Sequence, residues 1–404
     1  MNFFYQYKKI ILASGFIIIV FVLGYMMYSF FFKPSMQPVP QTSTLTSAVS
    51  GGLPLAQEGK GNVIGTTTAS SANLNTGNNQ AGNNANQISQ LANTETVGAI
   101  RNGTNLQFYN KNDGKFYTID NNGNMKTLSD TVFHDVTNVT WSPDKTRAIL
   151  EYPDDSKIIY DFNANKQITL PSHWQDFNFS PDGNGIVFKS MGTDPNNHWL
   201  AVTDGNGANA RRIENIGSNG DKVYPLWSPN NQMVAMYTEG IDFNRQNVYF
   251  VGLNNENFKS IVVDGRGFQP KWDPDGNRLL YSTYSTDTDM KPNLWIETAT
   301  GNNAGSDRQD LQIQTWANKC TFGDTNTLYC AVPQNLPEGA GIFPELAQNS
   351  QDQLYQINLQ TGAKKEIATP DGSYNMSDLI VSGDGSYLYF TDSSSDKLYK
   401  VKIK

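Results

Sequence analysis

Residues 268–276 read "FQPKWDPDG". Variants of the last five letters recur upstream, as "WSPD" at 141–144, "FSPDG" at 179–183 and "WSPN" at 227–230. The physical content of the phrase is a sharp corner after an aromatic ring. Proline presets φ near −65°, aspartate bonds back to the local backbone, and glycine tolerates positive φ. A strand-like run follows each corner, such as "GIVFKS" at 185–190 or "RLLYST" at 278–283. Weaker copies extend the series. "CTFGDTNTLYC" (320–330) and "VSGDGSYLYFT" (381–391) align without gaps on "WDPDGNRLLYS" (272–282), and "NLQFYNKNDGKFYTID" (105–120) aligns on "YLYFTDSSSDKLYKVK" (387–402).

The reference positions of the copies are Arg101, Pro143, Pro181, Pro229, Pro274, Phe322 and Gly383, spaced 38 to 61 residues apart. A period in the forties marks a four-stranded propeller blade. The expected fold is therefore all-β, a seven-bladed β-propeller over residues 96–404, with six or eight blades as the alternatives. The chain ends just after "KLYKVKIK" (397–404), so either the last blade has three strands or a segment just before Gly98 supplies the fourth and protects the sheet edge. In a radial array the ring before each corner is placed to fill the wedge between blades. Burying one aromatic removes about 150–250 Å² from water, worth on the order of 4–6 kcal/mol gross at about 25 cal/mol/Å². Trp141, Phe179, Trp227 and Trp272, with the corner prolines Pro143, Pro181, Pro229 and Pro274, are read as architecture.

"YPLWSPN" (224–230) and "FQPKWDPDG" (268–276) resemble the P-x-W-[SD]-P-D-G signature of TolB-like propeller repeats, which are relatives of the WD repeats. The resemblance covers roughly residues 96–404. It departs from the pattern in the sixth copy, where Phe322 replaces the proline, and in the first, where Arg101 does. What it implies is architecture, since that signature occurs both in binding proteins and in propeller domains attached to peptidases.

The N-terminus has a different character. Ile10–Phe32 is uncharged, "IILASGFIIIVFVLGYMMYSFFF", and as a helix spans roughly 35 Å, enough for a bilayer core of about 30 Å. Lys8 and Lys9 before it and Lys33 after it place the short N-terminus, residues 1–9, in the cytoplasm and the rest outside. The run is too long for a cleaved signal peptide, so 10–32 reads as a signal anchor. Residues 33–95 are rich in Ser, Thr, Asn, Gln and Gly, with too little apolar surface to offset the entropy of ordering. They read as a disordered tether reaching roughly 40–50 Å, with a glycan-decorated stalk as the alternative. The protein is thus expected in the cell membrane, single-pass, with its propeller on the extracytoplasmic side. The net charge of −8 excludes nucleic acid as a natural partner.

Cys320 and Cys330 flank one hairpin, and an extracytoplasmic compartment allows them to form a disulfide. The gapless alignment puts Cys320 in the place of the wedge aromatic, so the bridge is expected to substitute for it. No nucleophile elbow, H-E-x-x-H pair or C-x-x-C pair occurs. The three histidines, His134, His173 and His198, are far apart, and "DNNGN" (120–124) misses the calcium-loop spacing. No cofactor, metal or catalytic residue is assigned.

The excursions between second and third strands carry the functional reading. "MGTDPNN" (191–197), "EGIDFNRQ" (239–246), "TYSTDTDMKP" (283–292) and "PQNLPEGAGIFPELAQNSQ" (333–351) share one face of a propeller. They supply Glu239, Glu338 and Leu346, and the candidate binding residues Asp194, Asp242, Phe243, Arg245, Asp287, Asp289, Ile342, Phe343 and Glu345. Long loops on a rigid scaffold suit docking. The expected function is recognition of another protein or an envelope component. The alternatives are a hydrolase, lyase or cyclase acting in the central channel, and a small-ligand or sugar binder.

Overall fold

The computed structural model describes Leu23 and residues 88–404, apart from 369–371. The anchor expected at 10–32, and the tether up to residue 87, lie outside the described residues. Among the described residues no helix is long and apolar enough to cross a membrane.

Every strand is antiparallel to its neighbours. Five four-stranded sheets follow one another along the chain: sheet I (138–170), sheet II (174–215), sheet III (223–264), sheet IV (266–310) and sheet V (320–368). The remaining strands form one continuous seven-stranded sheet from residues 376–402 and 88–127. This corrects the expectation of seven separate blades: five blades are self-contained, and what was read as the first and last units is fused. The strand Ile88–Asn102 does the fusing. Its first part pairs with the last strand of the chain, Ile88 opposite Val401 and Glu95 opposite Lys397. Its second part pairs with the strand Asn105–Asn110, Thr96 opposite Asn110 and Asn102 opposite Asn105. The segment before Gly98 does supply the closing strand. Residues 88–95, counted by composition as tether, are therefore strand. Their polar letters mislead because an edge strand is held mainly by backbone bonds, and only Leu91 and Ala92 need burial.

The strand bends midway, between Val97 and Ile100. Gly98 sits there at φ +61°, and a Cβ on it would lie 2.6 Å from Cβ of Val139. That approach lets the indole Nε1 of Trp141 donate to the Gly98 carbonyl at 2.7 Å.

At several seams, side chains in or beside the first strands bond to the neighbouring sheet. Arg101 donates to the Val381 carbonyl at 3.2 Å, Asn178 accepts from the Trp227 amide at 2.8 Å, Trp272 Nε1 donates to the Leu226 carbonyl at 3.3 Å, and Lys319 Nζ donates to the Met376 carbonyl at 3.1 Å. The aromatics before the corners lie between sheets. Trp141 packs edge-on to Phe116 at 5.5 Å and stacks on Phe162 at 5.2 Å. Trp227 shares a cluster with Val187 and Leu200 of sheet II, Trp272 one with Met236 and Val248 of sheet III, and Phe179 one with Ile149 and Ile159 of sheet I.

The corners are tied by a residue that the proline and aspartate reading passed over. Ser142, Ser180, Ser228 and Ser382 are all buried. Each hydroxyl accepts the amide five residues on, from Arg147, Gly185, Met233 and Tyr387, at 2.8–3.0 Å. Asp273 takes the same role with Arg278, whose Nε also reaches its carboxylate at 3.1 Å. The backbone bond that closes this corner spans five residues in those copies but only four in sheet V, from Gly323 to Thr327. The sixth copy is one residue short, so the gapless alignment slips there. Phe322, opposite Leu328, occupies the position that Trp272 holds opposite Leu279. Cys320 therefore does not stand in for the aromatic. It is joined to Cys330, directly opposite on the next strand, by a disulfide buried among Leu280, Leu328 and Ile357.

Candidate recognition face

Three of the four excursions are sewn into one surface. The loop after the strand Ala235–Gly240 meets the loop after Arg278–Tyr284 through one side chain. Asn244 donates from Nδ2 to Thr286 Oγ1 at 2.7 Å and accepts the Thr286 amide on Oδ1 at 3.1 Å. The long insertion after Thr327–Pro333 docks on the same middle loop by backbone bonds, from the Gly339 amide to the Asp289 carbonyl at 3.0 Å and from the Gly341 amide to the Met290 carbonyl at 2.7 Å. Its far end is held by Asn375 Nδ2 on the Gln348 carbonyl at 2.8 Å. Asp352 then fixes where the next strand begins. Its Oδ2 takes Lys319 Nζ and the Met376 amide, each at 2.6 Å. Burial pushes that carboxyl above its ordinary range, and Lys319 pulls it back.

The insertion divides its apolar residues between inside and outside. Ala340 and Ala347 are buried against Trp316, and Leu336 packs half-buried against them. Ile342, Phe343 and Leu346 point out, with Phe343 53% exposed. On the neighbouring loop Ile241 is exposed and Phe243 is 59% exposed. Of nine exposed large hydrophobic residues between 88 and 404, five belong to this face, counting described residues only. Ile241, Phe243 and Ile342 line one open recess of about 620 Å³, together with Asp242, Arg266 and Tyr284.

The charged candidates are arranged unevenly. Asp242 is neutralised in place by Arg245, whose Nη2 and Nε lie 2.7 and 2.9 Å from Oδ2, and this bonding holds the carboxyl below its usual range. Asp289 stands in the left-handed region at φ 54°, 3.7 Å from Lys291. Asp287 and Glu345 are exposed. Asp194 does a local job instead, accepting the Asn196 amide at 2.9 Å to cap the short turn Pro195–Asn197. It is not drawn into the joined loops by any bond of its own carboxylate. Sequence reasoning missed Asn244, Thr286 and Tyr284, because nothing local in those letters signals that residues 42 apart will meet.

Among the described residues no group of three or more His, Cys, Asp or Glu side chains could hold a metal ion. His134 and His173 are exposed, and His198 turns both ring nitrogens to carbonyls of Gly217 and Gly192, at 2.8 and 2.6 Å. Inside the ring Lys271, on the first strand of sheet IV, donates to the Cys320 carbonyl. Desolvation by the surrounding protein lowers its amine to about 8, against the raising influence of Asp378.

No protein-family model matches the chain, and no curated protein matches it either. Solved structures do. An oligogalacturonate lyase in complex with manganese is 14% identical with a TM-score of 0.51, over 78% of this chain and 93% of that one. A prolyl endopeptidase is 12% identical with a TM-score of 0.51, over 78% of this chain and 51% of its own length. The Cps50 (Swd1) β-propeller domain of Myceliophteria thermophila is 10% identical with a TM-score of 0.50, over 78% of this chain and 100% of that one. A lyase, a peptidase and a WD40-type domain share the propeller, so the likeness is one of fold.

Proposed function

We propose that this protein is a membrane-anchored, extracytoplasmic β-propeller that recognises another protein or an envelope component through its joined loops. The observation that carries the reading is the set Ile241, Phe243, Ile342, Phe343 and Leu346, held exposed on loops that are rigidly bonded to one another. Rigid exposed apolar residues lose little entropy on binding, and fixed acidic neighbours select the partner's charge. In this reading the apolar stretch 10–32 spans the membrane and the polar stretch after it sets the reach. The turn signature fits a TolB-like propeller, and no cofactor is assigned. A channel enzyme has one supporting observation, the Lys271 amine of lowered proton affinity inside the ring.

The test is cross-linking of the full chain in its own membrane, comparing wild type with the triple variant Phe243→Ser, Ile342→Ser, Phe343→Ser. These side chains are exposed, so the unfolding midpoint should stay within about 0.5 kcal/mol of wild type. The cross-linked partner should disappear. A variant that keeps every cross-linked species refutes the reading.

A further inference from the structure

A second site lies away from the loop face, in a cleft of about 340 Å³ between sheets II and III. Its size is that of a small-molecule pocket. One wall is an aromatic pair. Tyr237 and Tyr249 are cross-strand neighbours whose rings are near parallel, 25° apart with centroids at 6.0 Å. Tyr249 is 36% exposed, so its ring faces the cleft instead of packing in the core. Ile216 and Val223 give an apolar floor.

The rim carries two carboxylates, Glu214 and Glu256, and no lysine or arginine lines the cleft. Glu256 is fixed in its loop by the Asn254 amide at 2.7 Å and by Asn254 Nδ2 at 3.1 Å. Those bonds favour its charged form. The loop reaches over the cleft because Gly252 leaves room, since a Cβ there would collide with the Glu256 carboxylate. Arg211, bonded to the Leu253 carbonyl at 3.1 Å, lies behind the loop and favours the charged form of Glu256, but it does not line the cleft, so a ligand inside meets the carboxylates first. An aromatic wall together with two rim carboxylates, only one of them with a cation nearby, is the chemistry that recognises an organic cation.

We infer that this cleft binds a small ammonium compound, its alkyl body against the tyrosines and its charge shared by Glu214 and Glu256. The site uses sheet faces and the loop that carries Glu256, and no residue of the joined loops lines it, so it stands or falls independently of the recognition face. The probe is choline, titrated by calorimetry into the full chain in a polyoxyethylene detergent, beside its uncharged isostere 3,3-dimethylbutan-1-ol and glucose. Saturable choline binding is expected, at least tenfold tighter than for the isostere and weaker at high salt. Glu214→Gln together with Glu256→Gln, and separately Tyr249→Ala, should each weaken it at least tenfold, while Phe243→Ser leaves it unchanged. Equal binding of choline and the isostere, binding of glucose alone, or no saturable binding to 50 mM overturns the inference. A double glutamine variant that folds normally and binds choline as wild type does overturns it too.

Discussion

Glu297 offers the sharpest test of how the sheets are joined. It lies on the third strand of sheet IV, opposite Leu279, and is 1% exposed. Tyr281 and Arg308 crowd around it, and Arg308 reaches across to Asp264 of sheet III at 2.6 Å. Glu297 Oε1, Tyr281 Oη and Arg308 Nε are all buried without a hydrogen-bond partner. Desolvation raises the Glu297 carboxyl from 4.5 to about 7, with Arg308 opposing. An acid bound more tightly to its proton in the folded state stabilises the fold least when ionised. The contribution of this group to stability is therefore fully present below about pH 4.5, is lost as pH rises to about 7, and levels off above that. At 1.36 kcal/mol per tenfold change in proton affinity, the decline is on the order of 3 kcal/mol. Glu297→Gln keeps the shape and removes the charge. Urea unfolding of the two proteins should give equal midpoints near pH 4.5. At pH 8 the variant should be the more stable by about 3 kcal/mol, with the slope unchanged. A difference that does not vary with pH, or a variant weaker than wild type at pH 8, refutes the reasoning.

Two further outcomes follow from the ring. Gly98→Ala forces a Cβ against Val139 at positive φ and should destabilise by roughly 2–4 kcal/mol in the same assay, whereas Gly103→Ala, with open space around its Cβ position, should cost only its backbone strain of about 1 kcal/mol. Replacing Cys320 and Cys330 together by serine removes a bridge across a sequence separation of 10 and should cost about 2–3 kcal/mol. Thermal unfolding that moves by less than the equivalent of about 0.5 kcal/mol would show that the bridge contributes nothing beyond packing.

The corners were legible because their signal is local. An aromatic, a small polar residue, proline and aspartate within five letters dictate a turn wherever they occur, and the turns at Pro143, Pro181, Pro229 and Pro274 stand where those letters put them. What the letters could not show was length. The turn between Phe322 and Leu328 is one residue shorter than that between Trp272 and Leu279, the wedge position falls at Phe322, two residues along from Cys320, and a gapless alignment has no way to see it. The closing segment was anticipated, but how far it extends was hidden for the opposite reason. Residues 88–95 are strand because the edge of 397–401 is there to be paired, a property of a partner some three hundred residues away. Composition reports what a segment can bury. It does not report which backbone edge is waiting for it.

The joined face shows the same limit and also what the packing adds. Each loop connects second and third strands in sheets III, IV and V, so radial order alone makes them neighbours. Proximity does not make them rigid. That comes from Asn244 on Thr286 and from two amides of the insertion on 289 and 290. Once so fixed, the insertion could stabilise itself most by burying its largest side chains, at roughly 1.5–3 kcal/mol each. It buries Ala340 and Ala347 and half-buries Leu336, yet leaves Ile342, Phe343 and Leu346 in water. A loop folding only for its own stability would bury those three as well. The energy left unclaimed at those three positions is available to whatever surface covers them, and this, more than the count of acidic residues, is why the face reads as a place of contact.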